Sequence, residues 1–525
     1  MRYRILVADD LTEEALQLLR QVGEVVVRKG MDESSLREAL VGVHALVVRS
    51  ATQVTERSLE LAADLVLVGR AGIGVDNIDV AAATQRGIVV MNTPEAGATT
   101  TGEHAVALLL ALARNVAAAD ASVRSGRWER SRFTGVEVTG KTLGVLGLGR
   151  IGRVVADRAR GLGMVVVAHD PFVAQENAPA GVRMVPFEEL LAAADFVSVH
   201  VPLTDASRHL LGRDQLAAMK RGARLVHAAR GGIVDEAALC EALHTGQLAG
   251  AALDVFEVEP LPADSPLRGA PNLLLTPHLG ASTHEARQGV SLAMAQQVVM
   301  ALRDGVVLDG VNVPRVARAD AALLGPHLTL VQRLASFLVQ LHPGRVQRIE
   351  LRAQGAVAAN GLEALTVAAL VGALRRVTGS PVTPVNARRV ASAAGIATAA
   401  HASSWKRDFV NLVQVELEVD GACHTAAGTV LGHRHGRLVE LDGIPMDVIP
   451  EPPCLVCLHR DTPGVVGRIG TLLGSLGVNI TRMQTCSTGN EGSALAVLQA
   501  DRALSAAEHG ALAALPGIDR AVQVL

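Results

Sequence analysis

A chain of 525 residues exceeds what one hydrophobic core supports and implies about three or four domains. Its 49 basic and 52 acidic side chains nearly cancel, to a net charge of -3, which excludes a broad electrostatic footprint for nucleic acid or anionic membrane. The longest uninterrupted apolar run, AVALLLALA at 105–113, is about half of what crosses a bilayer, so a soluble chain with small-molecule or protein ligands is expected.

The opening stretch, MRYRILVADD, runs straight into a strand pattern without the features of a signal peptide, which makes the cytoplasm the expected compartment. Short apolar runs then alternate with longer helical patterns to about residue 315: YRILVAD, ALVVRS, LVLVGRAG, IVVMN, TLGVLGLG, VVVAHD, FVSVHVP, RLVHAAR, AGAALDVF and LLLTPH. That rhythm predicts parallel sheets with right-handed crossover helices, and two glycine-rich turns suggest two similar α/β lobes. Residues 99–128 predict one long helix carrying the chain from lobe to lobe.

In LLLTPHLGAST (273–283), Pro277 cannot donate to a ladder, so a strand is expected to end there with His278 at its tip. Ser282 and Glu285 have the spacing of a capping box for a helix that returns to the first lobe and ends at Gly305. Residues 305–316 read as an extended linker, and 318–450 mix helices with alternating strands such as LVQVELEVDG. From about 452 the order is strand, helix, strand, strand, helix, strand. Five cysteines (Cys240, Cys423, Cys454, Cys457, Cys486) are too scattered for a disulfide framework. Cys454 and Cys457 fall in a strand, CLVCLHR, whose alternation sets Cys454 on one face and Cys457 with His459 on the other, so no metal site is expected there.

Gly147, Gly149 and Gly152 form a GxGxxG turn after the strand TLGVL and open the helix RIGRVVADRARGLG. The glycines allow a tight turn and close approach to a pyrophosphate, and the helix N-terminus supplies N–H donors. Asp170, 18 residues past Gly152 at the end of MVVVAHD, is placed to accept hydrogen bonds from ribose hydroxyls. A carboxylate there repels a 2′-phosphate, so NAD is expected over NADP. The rival turn GRAGIGVDNID (69–79) has Asn77 where a third glycine would stand and no acidic residue after a next strand, which suits the substrate side, with Arg70 and backbone amides for an anion.

Oxidising an alcohol with NAD needs a base for the hydroxyl proton and a cation for a substrate carboxylate. Three groups at predicted strand ends suit this: Arg230 in LVHAARGG, Glu259 in LDVFEVEP and His278. Arg230 offers a planar fork, and Glu259 could fix the tautomer of His278. Glu257 competes with Glu259 for that role.

In this order, GKTLGVLGLGRIG, HVPLT, ARGGIVDE, ALDVFEVEP and TPHLGAST resemble the D-isomer-specific 2-hydroxyacid dehydrogenases, and VRSAT, VGRAGIGVDNID and VMNTPEAG resemble members that oxidise 3-phospho-D-glycerate. The resemblance covers essentially the whole chain. It implies an NAD-dependent enzyme producing 3-phosphohydroxypyruvate, at the start of serine synthesis. Its fold would be two Rossmann- and flavodoxin-like doubly wound lobes, then an α+β intervening domain and a ferredoxin-like βαββαβ ACT domain. The domains would be a discontinuous substrate-binding domain (1–98 and 285–317), an NAD domain (99–284), the intervening domain (318–450) and the ACT domain (452–525).

Carried onto this chain, the family's catalytic residues fall on Arg230, Glu259 and His278, with the glutamate that directly precedes the proline favouring Glu259 over Glu257. Cofactor contacts fall on Arg150, Ile151, Asp170, Pro202, Thr204, Ala229 and Asp254, with Gly280 leaving room near the nicotinamide. Substrate contacts fall on Arg49, Ser50, Arg70 and Gly72, and Arg130 or Arg132, with Arg132 preferred, reaches the phosphate in the neighbouring subunit of a homodimer or homotetramer. His227 stands where many relatives have cysteine and is not expected to be catalytic.

HRDTPGVVGRIGTLLGSLGVNI (459–480) resembles an ACT domain, in which His459, Asp461 and Asn479 match residues that hold serine as effector. Residues 427–451 resemble the intervening domain, with HRHG where relatives vary. Two other readings stand beside this one. The substrate could be glyoxylate, hydroxypyruvate or another 2-hydroxy acid, against which Arg49 with Arg70 and the long C-terminal extension argue. A non-catalytic dinucleotide-sensing protein of the same fold is opposed by the complete Arg, Glu and His set.

Overall fold

The computed structural model describes residues 3–525 apart from 306, 315, 317, 379–381, 404–408, 433 and 489–491, so His433 of HRHG and Val306 and Arg315 of the predicted linker lie outside the described residues. The chain forms two compact units, one of Met1–Asn92 with Met294–Leu525 and one of Thr93–Ala293.

The first unit opens with five strands, β1 (Tyr3–Val7), β2 (Gly23–Val27), β3 (Ala45–Val48), β4 (Leu67–Arg70) and β5 (Val89–Asn92). All pair in parallel, in the order β2-β1-β3-β4-β5. This is the flavodoxin-like order, and helices on both faces explain why β3 is apolar and buried at every position. The sequence pattern missed β2, whose residues Val25 to Val27 lie at the sheet edge and are partly exposed. The stretch read as a linker is docked on this sheet. Gly310 bridges Met91, the Asn312 side chain accepts from Val90 N–H at 2.9 Å, and its amide donates to Thr84 Oγ1 and Ile88 C=O.

The second unit is one seven-stranded parallel sheet: β6 (Thr142–Leu146), β7 (Val165–His169), β8 (Val182–Met184), β9 (Phe196–Val199), β10 (Ala223–His227), β11 (Leu248–Leu253) and β12 (Leu273–Leu275). Its order, β12-β11-β10-β9-β6-β7-β8, reverses direction between β6 and β9, which makes the end of β6 the switch point where ligands bind in doubly wound sheets. Edge strand β8, three residues long, was also missed. The long helix predicted over 99–128 is instead two helices, Ala98–Ala113 and Val116–Arg124, bent by 62°. Asn115 takes φ 55° at the break, and a left-handed residue cannot continue a right-handed helix. The returning helix, His284–Asp304, starts one residue later than the predicted capping box: Thr283 Oγ1, rather than Ser282, accepts from Ala286 N–H at 3.1 Å. It is followed by Gly305 at φ 69°.

Two further sheets complete the first unit. β13 (Val346–Gln354), β14 (Ala397–Ala402), β15 (Leu412–Val419), β16 (Ala422–Leu431), β17 (His435–Leu441) and β18 (Ile444–Val448) form a mixed sheet in the order β14-β13-β15-β16-β17-β18, with only β13–β14 parallel. β19 (Cys454–Arg460), β20 (Ile480–Ser487), β21 (Ser493–Ala500) and β22 (Ile518–Val524) form an antiparallel sheet in the order β20-β21-β19-β22, with one helix after β19 and another after β21. The helices Ala321–Leu341 and Ala356–Val377 are long and apolar enough to cross a membrane, which the search for uninterrupted apolar runs overlooked. Here they pack on each other, and Ala321–Leu341 touches β15, β16 and β17 of one sheet and β22 of the next. A helix covered on several sides has no need of a polar face.

Gly372 lies against the backbone of the other helix: a Cβ there would stand 2.1 Å from the Gln332 carbonyl oxygen, whereas one at Gly361 would meet only the Leu324 side chain. Gly372→Ala is therefore expected to destabilise this domain by about 1–3 kcal/mol in chemical denaturation, because backbone must move. Gly361→Ala should cost less, since a flexible side chain yields and alanine gains helix propensity. Equal costs would refute the backbone contact.

Candidate active site

The glycine turn caps β6. Gly147 has φ 90°, and a Cβ on it would lie 2.8 Å from the His200 backbone. A Cβ at Gly152 would stand 2.0 Å from the Gly147 carbonyl oxygen, so these two positions admit only glycine without rearrangement. Gly149 differs: nothing lies within 4 Å of the space its Cβ would take, and it caps the helix Arg150–Gly161, whose first amides have no partners within the helix. Asp170, just past β7, returns to this turn. Its Oδ2 accepts from Leu148 N–H and its Oδ1 from Phe172 N–H, both at 2.9 Å. Open space over a helix N-terminus, with a carboxylate at the end of the next strand, fits a dinucleotide. The neighbouring turn at Pro202 and Thr204 is braced by Ser207, whose hydroxyl donates to Pro202 C=O at 2.6 Å and accepts from Thr204 N–H at 2.8 Å. Ile151 is partly buried, while Arg150 lies 3.7 Å from Glu95 at the surface.

Asp254 follows β11 with its side chain 1 % exposed. Oδ1 accepts from Thr276 Oγ1 at 2.6 Å and Leu279 N–H at 2.8 Å, and lies 3.2 Å from His104 Nε2, while Oδ2 accepts from Gly280 N–H at 2.8 Å. Burial works to raise this carboxyl, and the His104, Thr276 and Leu279 contacts outweigh it and hold it below its ordinary value. The loop after β12 is thereby fixed, with the His278 N–H on Asp254 C=O at 2.9 Å and His278 at φ 55°. His278 Nδ1 meets Glu259 Oε2 at 2.7 Å, and Glu259 Oε1 accepts from Phe256 N–H. An ionised carboxylate only accepts, so Nδ1 carries the proton and the half-exposed imidazole keeps its Nε2 lone pair for a substrate. Burial opposes ionisation of Glu259, but His278, the Phe256 N–H and Arg230 together hold its carboxyl below the ordinary value. Glu257 instead faces His209 at 3.1 Å, which separates the two glutamates that the sequence left in competition. Arg230 donates to Ala229 C=O at 2.7 Å and lies within electrostatic reach of Glu259.

His227, at the end of β10, is buried, and its Nε2 meets the Arg230 carbonyl at 2.8 Å. Burial pushes this imidazole down to about 4 and its neighbour His200 to about 3. Both are therefore uncharged at neutral pH, and His227 positions the backbone of Arg230.

In the first unit, Arg49 and Ser50 follow β3, and Arg70 ends β4. Asp9 holds the Arg49 loop by accepting from Arg49 N–H at 2.5 Å and Thr52 Oγ1 at 2.9 Å, and the buried Asn77 amide donates to Arg49 and Thr52 carbonyls, both at 2.6 Å. Gly72 makes room for Arg70, whose Nη1 would stand 2.1 Å from a Cβ there. Asp9, His104 and Thr276 were not singled out from sequence, and Asn77 was read only as a departure from the glycine pattern, because each acts across a distance in sequence that no periodicity marks. Arg132 is exposed in a short 3-10 turn with Arg130, 3.2 Å from Glu129.

In the C-terminal sheet, His459 is buried with Nδ1 on Arg460 C=O at 2.8 Å, whereas Asp461 and Asn479 are exposed. Among the described residues no hydrogen bond joins these three. Cys454 and Cys457 face different cores, and burial raises their thiols to about 11 and about 12.

A dinucleotide turn at the switch point with a tautomer-fixed histidine at a nearby strand end defines an NAD-dependent dehydrogenase of hydroxy acids. The model of the D-isomer specific 2-hydroxyacid dehydrogenase NAD binding domain matches residues 106–280, that of the D-3-phosphoglycerate dehydrogenase intervening domain residues 323–442, and that of the ACT domain residues 455–507. D-3-phosphoglycerate dehydrogenases from Archaeoglobus fulgidus and Methanocaldococcus jannaschii are each 40% identical, over 93% of both chains and 95% of both chains respectively. That of Bacillus subtilis is 39% identical over 96% of this chain and 95% of its own. The chain belongs to the D-3-phosphoglycerate dehydrogenase family. Among solved structures, the TT0316 protein of Thermus thermophilus (37% identity, TM-score 0.54) covers 59% of this chain and 99% of its own. A glyoxylate reductase from Paecilomyes thermophila (30%, TM-score 0.55) covers 59% of this chain and 98% of its own.

The buried histidines give a pH dependence with a definite sign. An unfolded His227 titrates near 6.5 and the folded one at about 4, so between these values the unfolded chain binds more protons and stability falls as pH drops. His227→Gln should reduce the stability lost between pH 7 and pH 4 by roughly 3 kcal/mol or less, read from hydrogen exchange of the β10 amides. An unchanged slope would refute the buried neutral imidazole.

Proposed function

We propose that this enzyme oxidises 3-phospho-D-glycerate to 3-phosphohydroxypyruvate with NAD, committing carbon to serine synthesis. The observation that carries the reading is the 2.7 Å contact between Glu259 and His278, in a lobe that has the dinucleotide turn. NAD, when bound, supplies the hydride acceptor. His278 Nε2 takes the hydroxyl proton of the substrate as hydride leaves the same carbon, and Glu259 stabilises the resulting imidazolium. Arg230 holds the substrate carboxylate and polarises the forming carbonyl.

Gly147, Gly149, Arg150, Ile151 and Gly152 would hold the pyrophosphate, with Asp170 on the ribose hydroxyls, which favours NAD over NADP. Pro202, Thr204, Ala229, Asp254, His278 and Gly280 complete the cofactor contacts. Arg49, Ser50, Arg70 and Gly72 serve the anionic substrate, which carries a phosphate that smaller hydroxy acids lack, and Arg132 serves the phosphate held by a partner subunit. The proposed domains are 1–98 with 285–317, 99–284, 318–450 and 452–525, in a cytoplasmic homodimer or homotetramer. Serine is the proposed effector, held by His459, Asp461 and Asn479.

His278→Ala should lower kcat by about 10²–10⁴-fold with the NAD dissociation constant nearly unchanged, and unaltered turnover would sink the role of base. Asp170→Ala should weaken NAD binding in titration calorimetry, and an unchanged constant would remove its ribose contact. NADH formation from a panel of 2-hydroxy acids should be fastest with 3-phosphoglycerate. Added serine should slow that reaction in the parent chain and leave Asn479→Ala unaffected; preference for an uncharged hydroxy acid, or indifference of the parent to serine, would overturn the respective assignment.

A further inference from the structure

Far from the catalytic residues in sequence, three ligating groups converge in the intervening domain. His342 caps the C-terminus of the helix Ala321–Leu341, His424 lies on β16, and Asp442 sits in the turn between β17 and β18 at φ 47°. Asp442 Oδ2 lies 3.0 Å from His342 Nε2 and 3.6 Å from His424 Nδ1, and the three atoms are all within 4.8 Å of one another. We propose that His342, His424 and Asp442 form a binding site for a divalent transition metal, with zinc the best match.

The contact geometry favours coordination over simple hydrogen bonding. His342 Nε2 is buried with no partner aligned for a hydrogen bond although Asp442 Oδ2 is 3.0 Å away, and the His424 contact is too long for one. An ion between these atoms would satisfy the polar groups that the hydrogen bonds leave unpaired. With bonds of about 2.0–2.1 Å, tetrahedral ligand atoms stand about 3.3 Å apart, a value the two observed separations bracket. The imidazoles lie stacked, 3.4 Å between centroids and 15° between planes, so the rings would have to splay for both to aim a lone pair at one ion.

Thr425 N–H donates to the other oxygen of Asp442, Oδ1, at 2.8 Å, and this orients the carboxylate as outer contacts do in metal sites. Two imidazoles and one carboxylate suit zinc and its neighbours over magnesium or calcium. Arg520, from β22, acts on His424 and donates to Leu341 C=O at 2.5 Å. Its positive charge opposes a bare cation there and so favours a small anion as the fourth ligand.

Full-length protein stripped with EDTA and dialysed against zinc should retain one equivalent per chain by elemental analysis and unfold at a higher temperature than the stripped form. The His424→Gln and Asp442→Asn variants should lose both effects while keeping turnover. Cobalt added to the stripped parent should give visible bands of nitrogen and oxygen ligands, without thiolate charge transfer, a measurement that needs no variant to fold. Zinc retained undiminished in either variant, a thiolate band pointing to the cysteines, or no stoichiometric binding would each overturn the site.

Discussion

The arrangement at the end of β12 depends on one buried carboxylate. Asp254 is enclosed among apolar strands, where an unpaired charge would cost several kcal/mol, and it is tolerated because Thr276, Leu279, Gly280 and His104 surround it. The same hydrogen bonds dictate the path of residues 276–280. They force His278 into a left-handed conformation that a non-glycine residue accepts at a cost of about 1–3 kcal/mol, and so aim its ring at Glu259. A ring fixed this way needs no reorganisation when a partner arrives. The same logic recurs in the other unit, where Asp9 and Asn77 take up the backbone of the Arg49 loop.

Much of this was legible in the sequence, for reasons that can be named. A proline after three leucines marks a strand end, and a glycine turn followed by an acidic residue at a strand end marks the cofactor side, since both signals are local. The choice between Glu257 and Glu259 was not local. They stand two residues apart, yet one meets His209 and the other His278, and only the path of the loop separates them. Local signals also failed where a single backbone conformation decides: Asn115 breaks a continuous helical pattern, and Thr283 rather than Ser282 caps the next helix because the chain turns one residue later. Asn312 was unreadable because its partners lie more than 200 positions away.

The cluster of His342, His424 and Asp442 is a sharper case. Its members come from a helix end, a strand and a tight turn, with none of the short spacings by which ligand sets are recognised. Conversely, Cys454 and Cys457 have such a spacing and are divided by the pleat of β19 between two separate cores. Spacing carries information only when the secondary structure brings the spaced residues to one face.

That division of β19 also explains how the C-terminal third is built. Cys454 and Val456 of β19, Leu495 and Val497 of β21 and Val524 of β22 share one core with the helix Ala321–Leu341, while Leu455 and Cys457 pack against the sheet's own helices. The last sheet is therefore apolar on both faces, and the helix beside it is apolar enough to resemble a membrane span, because each is the other's cover. Polar contacts fix the register of this packing: Leu525 N–H donates to Gln340 Oε1 at 2.9 Å, and Arg333 meets Glu451 at 2.8 Å. Arg520 adds a contact to the carbonyl of Leu341, the residue before His342. A shift of β22 along that helix would break the Leu525 and Arg520 contacts and expose the shared core at the same time.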